Sequence, residues 1–250
     1  MNDVPPTFVM YDPVKRAEEM ARIVCRGYLR KYYRFRPARF YGGIATADSV
    51  GCCLRCIFCW SWHEVVRPGA YGRFFSPEAV AGKLINIARK KGFDQVRISG
   101  NEPTISREHL LNVIEGIPGN ILFILETNGV LIGHDETYAR DLARFKNLYV
   151  RVSFKGTTEE EFSALTGSKP EGFVLQLKAL ENLYRVGVEV RPAVMVSFSP
   201  ADNIRAFKKR IAAIAPELEH IEIEELVLYR DIEKRLQKAN MRYNTAYETW

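Results

Sequence analysis

Gly51-Cys52-Cys53-Leu54-Arg55-Cys56-Ile57-Phe58-Cys59-Trp60 puts four of the chain's five cysteines into eight consecutive positions. Taking Cys52, Cys56 and Cys59 as a ligand set gives the spacing C-x3-C-x2-C, three soft thiolates on one short loop suited to iron-sulfur or zinc. A fourth protein thiolate is missing from that set. His63, four residues after Cys59, completes a three-cysteine, one-histidine set if the metal is zinc. Cys53 is the extra thiol of the loop, and Cys25 is most simply a small buried apolar residue.

Outward from the loop, the chain reads as alternating strands and helices. Phe40 to Ala45 is expected to be a first strand leading into the cysteines, and Thr46 to Phe75 shows no helix or strand pattern, as expected of a functional loop. Ser76-Pro77-Glu78 starts a helix that runs to Lys91 and stops at Gly92. Strands follow over 95–99, 121–125, 148–154, 188–196 and 221–228, separated by helices over 107–115, 136–145, 158–165, 172–185 and 202–213. A last short helix spans 231–239. Six strands alternating with helices, with no hairpin between neighbours, indicate parallel βα units and a partial (βα)6 TIM-like barrel. Asn128-Gly129 closes a strand, because a helical pattern follows it.

The N-terminal 39 residues read as a basic helical extension, residues 40–230 as the barrel, and residues 231–250 as a closing helix and tail. Val14, Met20, Ile23, Val24, Tyr28 and Leu29 recur at near-helical spacing after Pro13, which predicts a helix over 13–33. Between residues 15 and 39, nine Lys and Arg interleave with Tyr28, Tyr32, Tyr33 and Phe35. Two readings stand for that run: an RNA- or phosphate-facing arm, or a solvated helix face packing its aromatics on the barrel.

With 250 residues, 47% hydrophobic and 26% charged, the chain has an ordinary globular composition and can bury one full core. The net charge of +6 is a modest pull toward polyanions. No apolar run is long enough to span a bilayer, and Met1 to Pro6 lacks a secretory signature, so a cytoplasmic location is expected and the cysteines read as ligands rather than disulfides.

Parallel βα folds place ligands at the C-terminal strand ends. The second strand ends Gly100-Asn101-Glu102-Pro103, the third Glu126-Thr127-Asn128-Gly129, and the fourth carries Ser153 and Lys155. The fifth carries Arg191 and Met195, and the sixth Glu222, Glu224 and Glu225. Polar side chains thus gather on the rim that bears the metal loop. Taken singly, Lys155 and Arg191 fit structural ion pairs equally well, and Met195 fits the core.

The combination resembles the radical S-adenosylmethionine (SAM) superfamily, which shares the C-x3-C-x2-C loop with an aromatic before the last cysteine. Gly100-Asn101-Glu102-Pro103 is similar to its Gly-Gly-Glu-Pro motif, with Asn101 in place of the second glycine, and the resemblance covers roughly Phe40 to Tyr229. It implies that Cys52, Cys56 and Cys59 are catalytic and metal-binding, holding three irons of a [4Fe-4S] cluster whose fourth iron takes SAM. It also implies that Glu102 with Gly100 and Asn101 receives the SAM ammonium, that Phe58 lies beside the adenine, and that Asn128, Ser153, Lys155 and Arg191 complete the cofactor site. Hydrogen abstraction by a 5'-deoxyadenosyl radical and a reductant such as ferredoxin or flavodoxin follow from the same resemblance. Glu126 to Gly129 and Lys155 resemble the glycyl-radical activating enzymes, with Glu126 and Ser153 standing where aspartates are expected; that departure argues against the branch's monovalent cation. Cys56 to Trp60 followed by His63 resembles the tRNA wybutosine-synthesis enzyme. The expected activity is therefore activase-like on a protein or small molecule, with tRNA modification as the alternative. A zinc-stabilised RNA-binding module is the non-enzymatic alternative.

Overall fold

The computed structural model describes residues 10–229 and 231–248; Met1 to Pro6, read above for a secretory signature, lies outside them. Helix α1 (Pro13–Val24) starts where the Asp12 carboxylate accepts from the Val14 N–H at 2.8 Å. The chain then turns at Gly27, whose φ is +55°, and forms the hairpin β1 (Cys25–Arg26) and β2 (Leu29–Ala38). The helix expected over 13–33 is therefore half as long, and the later part of the basic aromatic run, from Leu29 to Ala38, is a strand. Phe40–Gly42 is a short 3-10 turn rather than a strand, and β3 (Ile44–Ser49) follows it. The stretch expected to be without structure holds the end of β3, a short helix α2 (Trp62–Val66) and strand β4 (Arg73–Phe75).

From α3 (Pro77–Lys91) on, elements fall close to expectation. Ser76 caps α3 by accepting from the Ala79 N–H, and Gly92 ends it in the left-handed conformation. Next come β5 (Gln95–Gly100), α4 (Arg107–Glu115), β6 (Leu122–Thr127), the unexpected short helix α5 (Val130–His134) and α6 (Glu136–Leu142). They are followed by β7 (Leu148–Phe154), α7 (Glu159–Thr166), α8 (Glu171–Arg185), β8 (Glu189–Met195) and α9 (Ala201–Ala212). The expected last strand is divided: β9 (Glu222–Glu224) joins the main sheet, while β10 (Leu226–Leu228) leaves it, precedes α10 (Ile232–Lys238), and pairs with β11 (Ala246–Glu248).

β3, β5, β6, β7, β8 and β9 pair in that order, all parallel. β2 extends this partial barrel by pairing antiparallel to β3, and β4 pairs with β2. One sheet face is apolar and packs on the helices: Ala47, Ile98, Phe123, Leu125, Val152 and Phe154 are fully buried in one cluster. The other face lines the barrel lumen and alternates with it, as the period of two requires. That lumen face carries Thr46, Asp48, Arg97, Ser99, Glu126, Arg151, Ser153 and Glu224, joined by side-chain hydrogen bonds and ion pairs. No helix among the described residues is long and apolar enough to cross a membrane.

Candidate active site at the strand ends

The cysteine loop leaves β3 through Gly51, whose φ is +88° and where a Cβ would lie 2.6 Å from Met20 Sδ. Only glycine fits there. The Gly51 N–H donates to Asn101 Oδ1 at 2.6 Å, and the Gly51 carbonyl accepts from the Glu102 N–H at 3.0 Å. Asn101 Nδ2 reaches forward to Ser61 Oγ at 2.6 Å, and Ser61 Oγ lies 3.7 Å from Cys59 Sγ. The asparagine that replaces a glycine thus clips both ends of the loop to the end of β5. Gly100, with φ +97°, brings the two backbones together; a Cβ there would lie 2.8 Å from the Ser49 nitrogen.

The loop's middle is held from two other directions. Arg55 N–H donates to the Tyr11 hydroxyl, which donates to the Thr166 carbonyl, both at 2.8 Å, and Ile57 N–H donates to the Leu165 carbonyl. Asn128 Nδ2 lies 3.2 Å from Cys53 Sγ and 3.6 Å from Cys52 Sγ. Arg235 of α10 donates through Nη2 to the Cys59 carbonyl at 2.7 Å and lies over the Trp62 ring.

Three further observations concern what this loop can hold. Burial pushes the Cys56 and Cys59 thiols up, while hydrogen bonding from Cys53 holds Cys52 down against its burial. Buried thiols without a cation are costly to ionise, and bound metal reverses that balance. Arg235 Nε and Nη1 are buried with no partner, two donors facing the need for an acceptor beside Cys59. Among the described residues no three His, Cys, Asp or Glu side chains converge as ligands of one ion; the thiolates of a cluster bind different irons and need not converge. The donor set fits an iron-sulfur cluster.

Around the loop, the strand ends are wired together. Glu102 is buried, and its Oε1 accepts from Thr104 N–H, Thr104 Oγ1 and Thr127 Oγ1 while Oε2 accepts from the Asn128 N–H, at 2.6 to 3.1 Å. Its carboxylate is thereby committed to four protein donors. Gln176 of α8, fully buried, donates to the Asn128 carbonyl at 2.7 Å and the Ser153 carbonyl at 2.9 Å. Lys155 Nζ donates to Ser153 Oγ at 2.5 Å, and Ser153 Oγ donates to Glu224 at 2.9 Å. Burial pulls the Lys155 ammonium down, but Glu224 and the cysteines more than offset it and hold it up. Burial likewise opposes the Glu224 charge, yet Lys155 and Arg151 lower its carboxyl to about 2. Phe58 stacks at 5.5 Å on Phe198, next to the small core of Met195, Leu226, Ile232 and Leu236.

Cys52, Cys56, Cys59, Phe58, Gly100, Asn101, Glu102, Asn128, Ser153 and Lys155 are therefore brought to one rim. Arg191 is not: it is exposed, four residues before the end of β8, and lies close to the Tyr149 hydroxyl. His63 Nδ1 lies 3.3 Å from Arg67 Nη2, and among the described residues it joins no group of three metal-ligating side chains. Cys25 is half-buried in β1 against Met20, Val24 and Val50. Sequence reasoning missed Gln176, Tyr11, Ser61, Arg235 and the buried Arg30, whose Nη2 donates to the Glu102 carbonyl at 3.2 Å. Of these only Ser61, two residues past the last cysteine, carried a local signal.

Residues 47–209 match the model of the radical SAM superfamily. The chain is 25% identical over 200 residues to a probable GTP 3',8-cyclase of Methanococcus vannielii, covering 75% of this chain and 65% of that protein. It is 26% identical over 203 residues to the pyruvate formate-lyase-activating enzyme of Clostridium pasteurianum, covering 77% and 78%. It spans no more than 65% of the length of the GTP 3',8-cyclases it matches. In fold it is similar to Streptococcus suis SuiB bound to S-adenosylmethionine, with a TM-score of 0.56 and 18% identity, covering 82% of this chain and 49% of that one.

Proposed function

We propose that this chain, which belongs to the radical SAM superfamily, holds the family's [4Fe-4S] cluster through Cys52, Cys56 and Cys59 and abstracts hydrogen, activase-like, from a substrate in the barrel lumen. When bound, the cluster and SAM supply one-electron cleavage of the sulfonium and a 5'-deoxyadenosyl radical. The observation that carries the reading is the cysteine loop clipped by Asn101 and Asn128 to the ends of β5 and β6, beside Lys155.

The residues divide the work by position. The backbone of Gly100 to Glu102 takes the SAM ammonium, Lys155 and Ser153 take its anionic and hydroxyl groups, and Phe58 with Phe198 walls the adenine. Glu102 and Gln176 fix the strand ends that carry these groups. Radical SAM enzymes need a reductant, and ferredoxin or flavodoxin suits the low potential such cleavage requires.

The charge-lined lumen favours a small polar substrate over a nucleic acid. Four cations of the run that suggested an RNA-facing arm are tied into the sheet: Arg30 is 1% exposed, Lys31 donates to the Pro68 and Gly69 carbonyls, and Arg34 and Arg36 pair with Asp48, while Lys15, Arg22, Arg26 and Arg39 are exposed. Electron paramagnetic resonance of the anaerobically reconstituted, reduced protein tests the reading. A [4Fe-4S] signal that SAM perturbs is expected, and its loss is expected in Cys52→Ala, Cys56→Ala and Cys59→Ala; a signal indifferent to SAM would contradict it.

A further inference from the structure

The charged groups of the lumen are unequally used. Arg97 spends Nε on Thr46 and Nη1 on Glu126, and Arg151 spends Nε on Glu222 and Nη1 on Glu224. Arg34 and Arg36 differ. Both donate through Nε alone to the same atom, Asp48 Oδ2, at 2.6 and 3.2 Å, and among the described residues their Nη atoms have no hydrogen-bond partner. The Asp48 side chain is completely buried, while those of Arg34 and Arg36 are 41% and 27% exposed. One carboxylate thus anchors two guanidinium groups from behind and leaves two adjacent forks open to the lumen. Asp48 holds both guanidinium groups on Oδ2 while its Oδ1 is buried with no partner, so two cations share one carboxylate and an anion entering beside them would meet both forks.

The geometry points to Arg34 and Arg36 as a clamp for a phosphate or carboxylate group of the substrate, an inference that rests on the hydrogen-abstraction reading above and names its substrate class as anionic. Guanidinium forks suit both groups, because each presents paired oxygens to paired N–H donors. The clamp lies beside the cysteine loop, since the Arg34 guanidinium packs over the ring of Trp60 at 5.4 Å, and Trp60 directly follows Cys59. The Tyr33 ring lies 5.5 Å from the same guanidinium. β2, which supplies both arginines, precedes the stretch matched by the family model. The chain's own N-terminal segment would thus set what the lumen accepts.

Calorimetry and tryptophan fluorescence on the whole reconstituted protein test this with two probe series, inorganic phosphate with pyrophosphate, and succinate with citrate. At least one series is expected to bind saturably, and the one that binds identifies the group. Arg34→Gln and Arg36→Gln are each expected to weaken that binding at least tenfold, while Arg205→Gln on α9 leaves it unchanged. Arg34→Lys keeps the charge but not the fork; it is expected to weaken binding almost as much, and serves as the comparison if a Gln variant does not fold. Absence of saturable binding in both series, or wild-type affinity in the folded variants, would overturn the clamp. If the anions fail while wild-type protein cleaves SAM, only the clamp falls; if wild-type protein cannot cleave SAM, the hydrogen-abstraction reading falls.

Discussion

Glu102 was legible as a rim residue because its motif stands at a strand end, but its hydrogen bonds to the end of β6 were not. A carboxylate with four protein donors is a staple between the ends of β5 and β6. Gln176 is the second staple, and no spacing announced it. It shares the largely apolar buried face of α8 with Asn182, and its partners, Asn128 and Ser153, lie far away in sequence. Gln176→Leu leaves two buried carbonyls without donors, so a loss of about 3 kcal/mol is expected in urea unfolding of the metal-free protein. Glu224 makes a prediction in pH. Its carboxyl is at about 2 in the fold against 4.5 for an ordinary glutamate, so its charge stabilises the fold above pH 4.5, and that contribution is lost as pH falls from 4.5 toward 2. The contribution at neutral pH is about 3 kcal/mol. Glu224→Gln is expected to unfold more easily at pH 7 and to lose less stability than wild type between pH 4.5 and 2, followed by circular dichroism.

Among the elements, the helices with caps were the most legible: Ser76-Pro77 and Gly92 bound α3 as expected. β2 was not, for a physical reason. Its lumen side bears Arg34 and Arg36 and its other side Tyr32 and Phe35, so charges and aromatics alternate where a helix face is equally plausible. The hairpin is decided by Gly27 and by partners beyond the strand, including the Tyr32 hydroxyl against His109 Nε2 at 3.0 Å. The division of β9 from β10 also escaped the sequence, because an unbroken run of Glu and apolar residues hides the point where the chain leaves the sheet. α5 packs on α8 so closely that a Cβ at Gly133 would lie 1.8 Å from the Leu175 carbonyl oxygen. Backbone cannot yield as a side chain does, so Gly133→Ala is expected to cost at least about 3 kcal/mol and to lower the thermal midpoint markedly.

For the whole molecule, the six parallel strands and their order were readable because each apolar face repeats against a helix, and the parallel pairing leaves all strand ends on one rim. The lumen was not readable, since its ion pairs join residues such as Arg151 and Glu224 that only barrel closure brings together. Loop, rim and lumen form one continuous arrangement: Arg235 and Asn101 hold the cysteines, Glu102 and Gln176 hold the strand ends, and charged residues line the space below. The central claim is that this arrangement cleaves SAM reductively. Chromatographic measurement of 5'-deoxyadenosine after anaerobic incubation with SAM and dithionite tests it directly. Steady formation by the reconstituted wild-type protein and none by Cys56→Ala is the predicted result; a wild-type protein that carries its full iron and sulfide yet yields no 5'-deoxyadenosine would contradict it.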